Sequence, residues 1–247
     1  MLSEFLAAQE RAFQANCELP AYREQVPVLD DLYERAIGIV QERLPRRLLR
    51  LAHKCALSGI VLALRGLPGE SAAPTRRACE IGRFAIVVGL DVAKFDEWSA
   101  IEKRVARWEA RIEGRRPKHL SLDLKAPSNH EIGQALEAEI GRLSDAWVHF
   151  TPEYVHNEHW CAGGEEDPPE LQMEYVAKSQ KDIEQVLGLL VSYHVFVLLA
   201  IDMSLAKGRL RGNAEWIRRF RQLHAAGAEW ARKVAGIQIP PLEDASR

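Results

Sequence analysis

The chain has 247 residues, 47% of them hydrophobic and 28% charged, with a formal net charge of -2. A chain of that size and composition buries a core unaided and is not disordered, and its near-balanced charge excludes a global attraction to nucleic acid or acidic membranes, so any such attraction must come from a local patch. Cys17, Cys55, Cys79 and Cys161 are scattered without a C-x-x-C pair, which argues against a disulfide framework or a structural zinc site and for a reducing, cytoplasmic setting.

Helical periodicity runs throughout, and no segment sustains strand alternation. The expected fold class is therefore all-α, an irregular bundle of about seven or eight helices in one domain (1–247), with a soft boundary in the loop 115–128. The first helix is expected from Ser3 to before Pro20, and the second after Asp30, carrying Leu32, Ile37 and Val40 inward. Pro45 interrupts or restarts it, because proline suits a first turn and breaks an interior one. A third helix then runs to about Gly66, followed by an expected loop over 66–77 and an apolar core helix at CEIGRFAIVVGL.

Residues 94–113 carry Trp98, Ile101, Val105, Trp108 and Ile112 in a 3-4-3-4 spacing, the pattern of a seam against another helix. Ser128 and Glu131 have capping-box spacing, opening a helix with Ile132, Leu136, Ile140, Leu143 and Trp147 on its inner face. A long central helix is expected over 169–206 and a last one over 213–234. Glu4 and Glu10 sit where an export signal would be basic and then apolar. The longest stretch without Asp, Glu, Lys or Arg, 185–201, has seventeen residues, short of the roughly 20 that cross a bilayer, so no membrane partner is expected.

Three of the eight histidines fall within eleven residues, in RLSDAWVHFTPEYVHNEHWC. Arg142 and His149 stand seven positions apart and share a helix face beside the apolar stripe. Arginines five to seven positions before a histidine recur at His53 (Arg46, Arg47) and His224 (Arg218, Arg219), so the context of His149, a capped amphipathic helix ending in a histidine-rich loop, sets it apart. A plain alternative is a solvated Arg142 paired with Glu139 or Asp145, and a His149 favoured by the helix dipole. In another reading, residues among Glu153, His156, His159 and Cys161 bind a metal: Glu153-x-x-His156 has the spacing of a di-iron ligand pair, and His156-x-x-His159 with Cys161 could bind zinc if the segment folded back.

Two basic patches stand out. Arg43, Arg47, Arg50 and Lys54 repeat at 4-3-4, within 43–69 that contain no acidic residue, and a second excess spans Lys207, Arg209, Arg211, Arg218, Arg219 and Arg221. Either could neutralise phosphates, with Trp160 in the polar loop available to stack on a base. The plainer reading is two solvated faces. His194, among Val191, Val195 and Phe196, is expected to be a satisfied core histidine.

The Arg142-x6-His149 spacing, with Leu143, Ser144 and His149 as a Leu-Ser-x-x-x-x-His segment, resembles the Arg-x4-6-His signature of the HEPN superfamily, compact helical proteins of bacterial toxin-antitoxin and abortive-infection systems. The resemblance covers roughly 48–154. It implies metal-independent RNA cleavage with Arg142 and His149 catalytic and no cofactor, a homodimer that brings two motifs together, and an antitoxin or other partner protein. The residue after the arginine is commonly polar in that family; here it is Leu143, and Asp145 is the expected substitute. Against this stand a non-catalytic helical module for a protein or nucleic-acid partner and, third, a metal-binding helical enzyme.

Overall fold

The computed structural model describes residues 2–91, 93–94, 112–113, 125–143, 179–205 and 210–235. Among these there are seven α-helices and no strand: α1 (Leu2–Asn16), α2 (Val26–Ile39), α3 (Arg43–Leu64), α4 (Pro68–Leu90), α5 (Glu131–Leu143), α6 (Gln180–Ser204) and α7 (Ala214–Ala235), with a π-helical turn at Ala21–Gln25 before α2. The all-α expectation holds. The arrangement is a bundle around α6, which packs against α2, α3, α4, α5 and α7.

α6 is central because it is apolar on nearly every side. Ile183, Leu187, Leu190, Val191, Val197, Leu198 and Ile201 are all buried along it. It is the one described helix long and apolar enough to cross a membrane, and 67% of its apolar window is buried within the bundle. Its start differs from the expected 169. Ser179 has extended backbone and its hydroxyl accepts from the Asp182 N–H at 3.3 Å, a side-chain cap that begins the helix at Gln180.

Other boundaries also moved, each for a local reason. α2 begins at Val26, ahead of Asp30, because Pro27 occupies its first turn and Val26 and Leu29 extend its buried face. The loop expected over 66–77 is instead the first half of α4, again opened by a proline, Pro68. Pro74 inside the helix removes the N–H that would have reached the Glu70 carbonyl and crowds that carbonyl, a cost set against the burial of Ser71, Ala72 and Thr75. The break itself is Gly66, at φ 78°. The Leu67 N–H reaches Leu62 O at 3.0 Å and the Gly66 N–H reaches Ala63 O at 2.9 Å, the double closure of a Schellman stop.

Close approach of α6 to its neighbours depends on glycine. A Cβ on Gly82 of α4 would lie 3.1 Å from Leu136 Cδ1 and 3.4 Å from the Val197 Cα, so α4, α5 and α6 meet over a hydrogen atom. A Cβ on Gly188 of α6 would run into the Trp230 indole of α7. α7 is further fixed by Trp216, fully buried, whose Nε1 donates to Leu32 O of α2 at 3.1 Å and whose ring stacks on Phe220 at 4.9 Å. Of the seam expected over 94–113, only Lys94, Ile112 and Glu113 are among the described residues, and Ile112 is exposed. The proposed boundary loop also falls largely outside them. Because an added methyl group would overlap the Trp230 ring and force it or the helices to shift, Gly188→Ala is expected to lower folding stability by about 1–3 kcal/mol, measured by denaturant unfolding; an unchanged midpoint would mean that α7 is not held against α6 in this way.

Candidate functional site

α5 carries the arginine of the suspected pair. The capping box at Ser128 and Glu131 is not what starts this helix. Ser128 is exposed, and it is His130 whose Nδ1 accepts the Gly133 N–H at 3.1 Å. An imidazole nitrogen does the work of the hydroxyl, and the sequence pattern misplaced the cap by two residues. Leu136, Ile140 and Leu143 face the core as expected. Arg83 of α4 reaches Glu137 at 2.7 Å, so α5 is anchored on both its apolar and polar flanks.

Arg142 lies at the C-terminal end of α5 with its side chain 57% exposed. Its Nε and Nη2 donate to Glu139 Oε2 at 2.9 and 2.6 Å. Nη2 also donates to the Tyr193 hydroxyl of α6, and the guanidinium carbon sits 5.7 Å from the Tyr193 ring centroid. The plain alternative for Arg142, a pairing with Glu139, is therefore present, with an additional aromatic support. Its proposed companions Asp145 and His149, and likewise Glu153, His156, His159, Trp160 and Cys161, lie outside the described residues. Among the described residues no cluster of three or more His, Cys, Asp or Glu could hold a metal ion. Cys79, in the core nearby, is no nucleophile, because burial pushes its thiol up to about 12.

The two basic patches separate clearly in three dimensions. On α7, Arg218 and Arg219 both bind Glu215, at 2.8 Å each, and Arg219 also binds Asp31 of α2 at 3.0 Å. The hydrogen bonds from Arg218 and then Arg219 hold the Glu215 carboxyl down at about 2. Arg211 is taken by buried Asp202 at 2.6 Å. Lys207 and Arg209 lie outside the described residues, and Arg211, Arg218 and Arg219 are spent on internal carboxylates. On α3, by contrast, Arg43, Arg47, Arg50 and Lys54 are all exposed on one face, and none of them makes an ion pair among the described residues. The same face continues into Leu57 and Val61, 43% and 41% exposed.

A buried polar cluster links α2, α3 and α6, and residue spacing did not reveal it. The Tyr33 hydroxyl and His194 Nδ1 are 2.8 Å apart, both side chains fully buried. The Tyr33 ring stacks on His53 with centroids 5.1 Å apart, and His53 Nε2 meets Asp30 Oδ1 at 2.7 Å with Nδ1 3.4 Å from Glu34. His53 satisfies the Arg-to-His spacing but its ring is committed to packing and to these carboxylates. His194 is half satisfied rather than fully so, since its Nε2 is buried without a partner. Burial keeps the Tyr33 phenol protonated, well above its usual pKa, and pushes His194 down to about 3, with the neighbouring His53 adding to the shift. The missed signal was Tyr33 itself, a hydroxyl in the middle of the α2 apolar stripe, which a buried site must pair.

No family model matches this chain, and no match is found among curated proteins or solved structures.

The His194 shift gives a pH dependence whose sign follows from proton counting. The folded value, about 3, lies below the ordinary 6.5, so the unfolded chain binds a proton that the native one refuses. Stability is therefore retained above pH 6.5 and lost as pH falls toward 3, at up to about 1.4 kcal/mol per unit from this group. Denaturant unfolding of wild type and His194→Asn between pH 7 and 5 should show this slope reduced in the variant; parallel curves would rule it out.

Proposed function

We propose that this chain is a HEPN-like helical protein of a bacterial defence or toxin-type system, acting in the cytoplasm, which binds RNA along the exposed face of α3 and cleaves it without a metal or cofactor. The observation that carries the RNA-binding part is the exposed row of Arg43, Arg47, Arg50 and Lys54, none of which makes an ion pair among the described residues, whereas Arg218 and Arg219 of α7 are paired. Cations held in a row on one helix face are suited to a phosphate backbone. Trp160 would stack on an unpaired base.

For the cleavage step, the ribose 2′-hydroxyl attacks the adjacent phosphorus, forming a cyclic phosphodiester and expelling the 5′-oxygen of the next nucleotide, which takes a proton from water and leaves as a free 5′-hydroxyl. His149 takes the 2′-hydroxyl proton, Arg142 offsets the charge that builds on the phosphorane oxygens, and Asp145 stands in for the polar residue next to the arginine. Two copies of the chain meeting as a homodimer would bring two Arg142–His149 pairs to one RNA, and a partner protein of antitoxin type would restrain them. Support for Arg142 is its half-exposed guanidinium at the end of α5, beside an aromatic ring. The Glu139 ion pair favours a second reading, a non-catalytic module that binds a nucleic-acid or protein partner through α3 alone. A metal-dependent enzyme built on Glu153, His156, His159 and Cys161 is a third, removed if metal analysis of untagged protein finds no stoichiometric zinc, iron or manganese.

One measurement separates the first two readings, and a second tests the α3 interface that they share. RNA cleavage in EDTA is expected from wild type and lost in His149→Ala; equal activity of the two proteins would sink the catalytic reading. Replacing Arg47, Arg50 and Lys54 together by alanine should weaken RNA binding and flatten its log-log salt dependence by about 2, since each single-stranded phosphate contact contributes about 0.7 to the slope. An unaltered slope would remove α3 from the interface and with it both RNA-binding readings.

A further inference from the structure

Arg142 is the one proposed catalytic residue whose surroundings are described, and those surroundings are already occupied by an anion. Glu139 Oε2 takes two donors of the guanidinium, Nε and Nη2, at 2.9 and 2.6 Å. That is the fork through which a guanidinium holds a phosphate oxygen. The other anchor is of a different kind. Tyr193 is 7% exposed on the central helix, offers a neutral hydroxyl and ring, and stays where it is whatever Glu139 does.

We infer that the Arg142 guanidinium, supported by Tyr193, is a seat for a phosphodiester and that Glu139 is its built-in occupant, a carboxylate the nucleic acid must displace before Arg142 can act. This rests on the reading of Arg142 as a phosphate-facing residue and adds the means by which that face is kept closed. Glu139 is well suited to the task. Its side chain is 30% exposed and sits one helical turn from Arg142, so rotation about its own side-chain bonds releases the guanidinium without moving α5. Such i,i+3 pairs are weak enough to exchange. Glu137, two positions earlier, is by contrast tied to Arg83 on α4 and plays no part. A bound phosphodiester brings a charge that competes for the same fork, so the seat opens when polyanion is bound and remains covered otherwise.

The experiment uses the full chain and a labelled RNA oligonucleotide with 2′-O-methyl groups throughout, whose blocked 2′-oxygen cannot attack, so that it reports binding alone. At physiological salt the Debye length is about 8 Å, so removing a remote carboxylate from α5 should have little effect. Glu139→Gln is expected to tighten binding about threefold to fivefold, while Glu131→Gln, an exposed carboxylate in the first turn of the same helix, leaves it near the wild-type value. The gain should vanish in the double variant Glu139→Gln with Arg142→Ala. An equal gain in Glu131→Gln, a gain that persists in the double variant, or no gain at all would each overturn the inference. Failure of the nuclease reading registers separately, as absence of cleavage of unmodified RNA by wild type, and leaves this binding comparison intact.

Discussion

The constraint on which the bundle depends is that α6 is buried on almost every side yet carries polar groups that cannot be left unpaired. A helix so enclosed can accept an apolar neighbour at any rotation, since hydrophobic contact has little directional preference. Its polar residues remove that freedom. Tyr193 meets Arg142 of α5, His194 meets Tyr33 of α2, and Asp202 takes the Leu210 N–H at 3.0 Å and Arg211 at 2.6 Å on the approach to α7. Each buried group is costly without its partner, so each pairing sets the register of a different helix against α6. Glycine sets the spacing, at Gly82 and Gly188, where a methyl group would collide with the neighbouring helix.

With α6 enclosed, the chemistry-bearing groups are divided between two environments. Groups facing inward are chemically quiet: the Cys79 thiol and Tyr33 phenol hold their protons, and His194 stays neutral. Groups facing outward are mostly paired, as the Asp31, Glu215, Arg218 and Arg219 network between α2 and α7 shows. The α3 row is the departure from this pattern. That helix spends its inner face on the core and holds four cations on its outer face with no ion pair among the described residues, which is why we propose the row for binding.

How much of the candidate site was legible varied by residue, for identifiable reasons. The exposure of Arg43, Arg47, Arg50 and Lys54 followed from the 4-3-4 spacing, because helical geometry alone puts such positions on one side. The Arg142–Glu139 pair was legible as a three-residue neighbour. Tyr193 behind Arg142 was not, being 51 residues away in sequence, nor was the Tyr33–His194 contact across 161. Two misjudged helix starts share one cause. α2 was expected only after Asp30 and 66–77 was expected to be a loop, whereas Pro27, Pro68 and Pro74 lie within helices and Asp30 faces His53. Burial of Leu29, Ala72 and Cys79 favours continued helix there, and local turn chemistry yields to it.

The sequence by itself determined the helical class, the apolar centre at α6, and the stop at Gly66, because these depend on periodicity and on backbone freedom over a few residues. It also determined that the α3 cations share a face. Tertiary structure decided which charges remain free. Arg218 and Arg219 looked as available as Arg47 and Arg50 until α7 was laid against α2 and Asp31 and Glu215 closed on them. Pairing between distant residues is a property of how helices dock, and docking was set by buried polar contacts that no local pattern encodes.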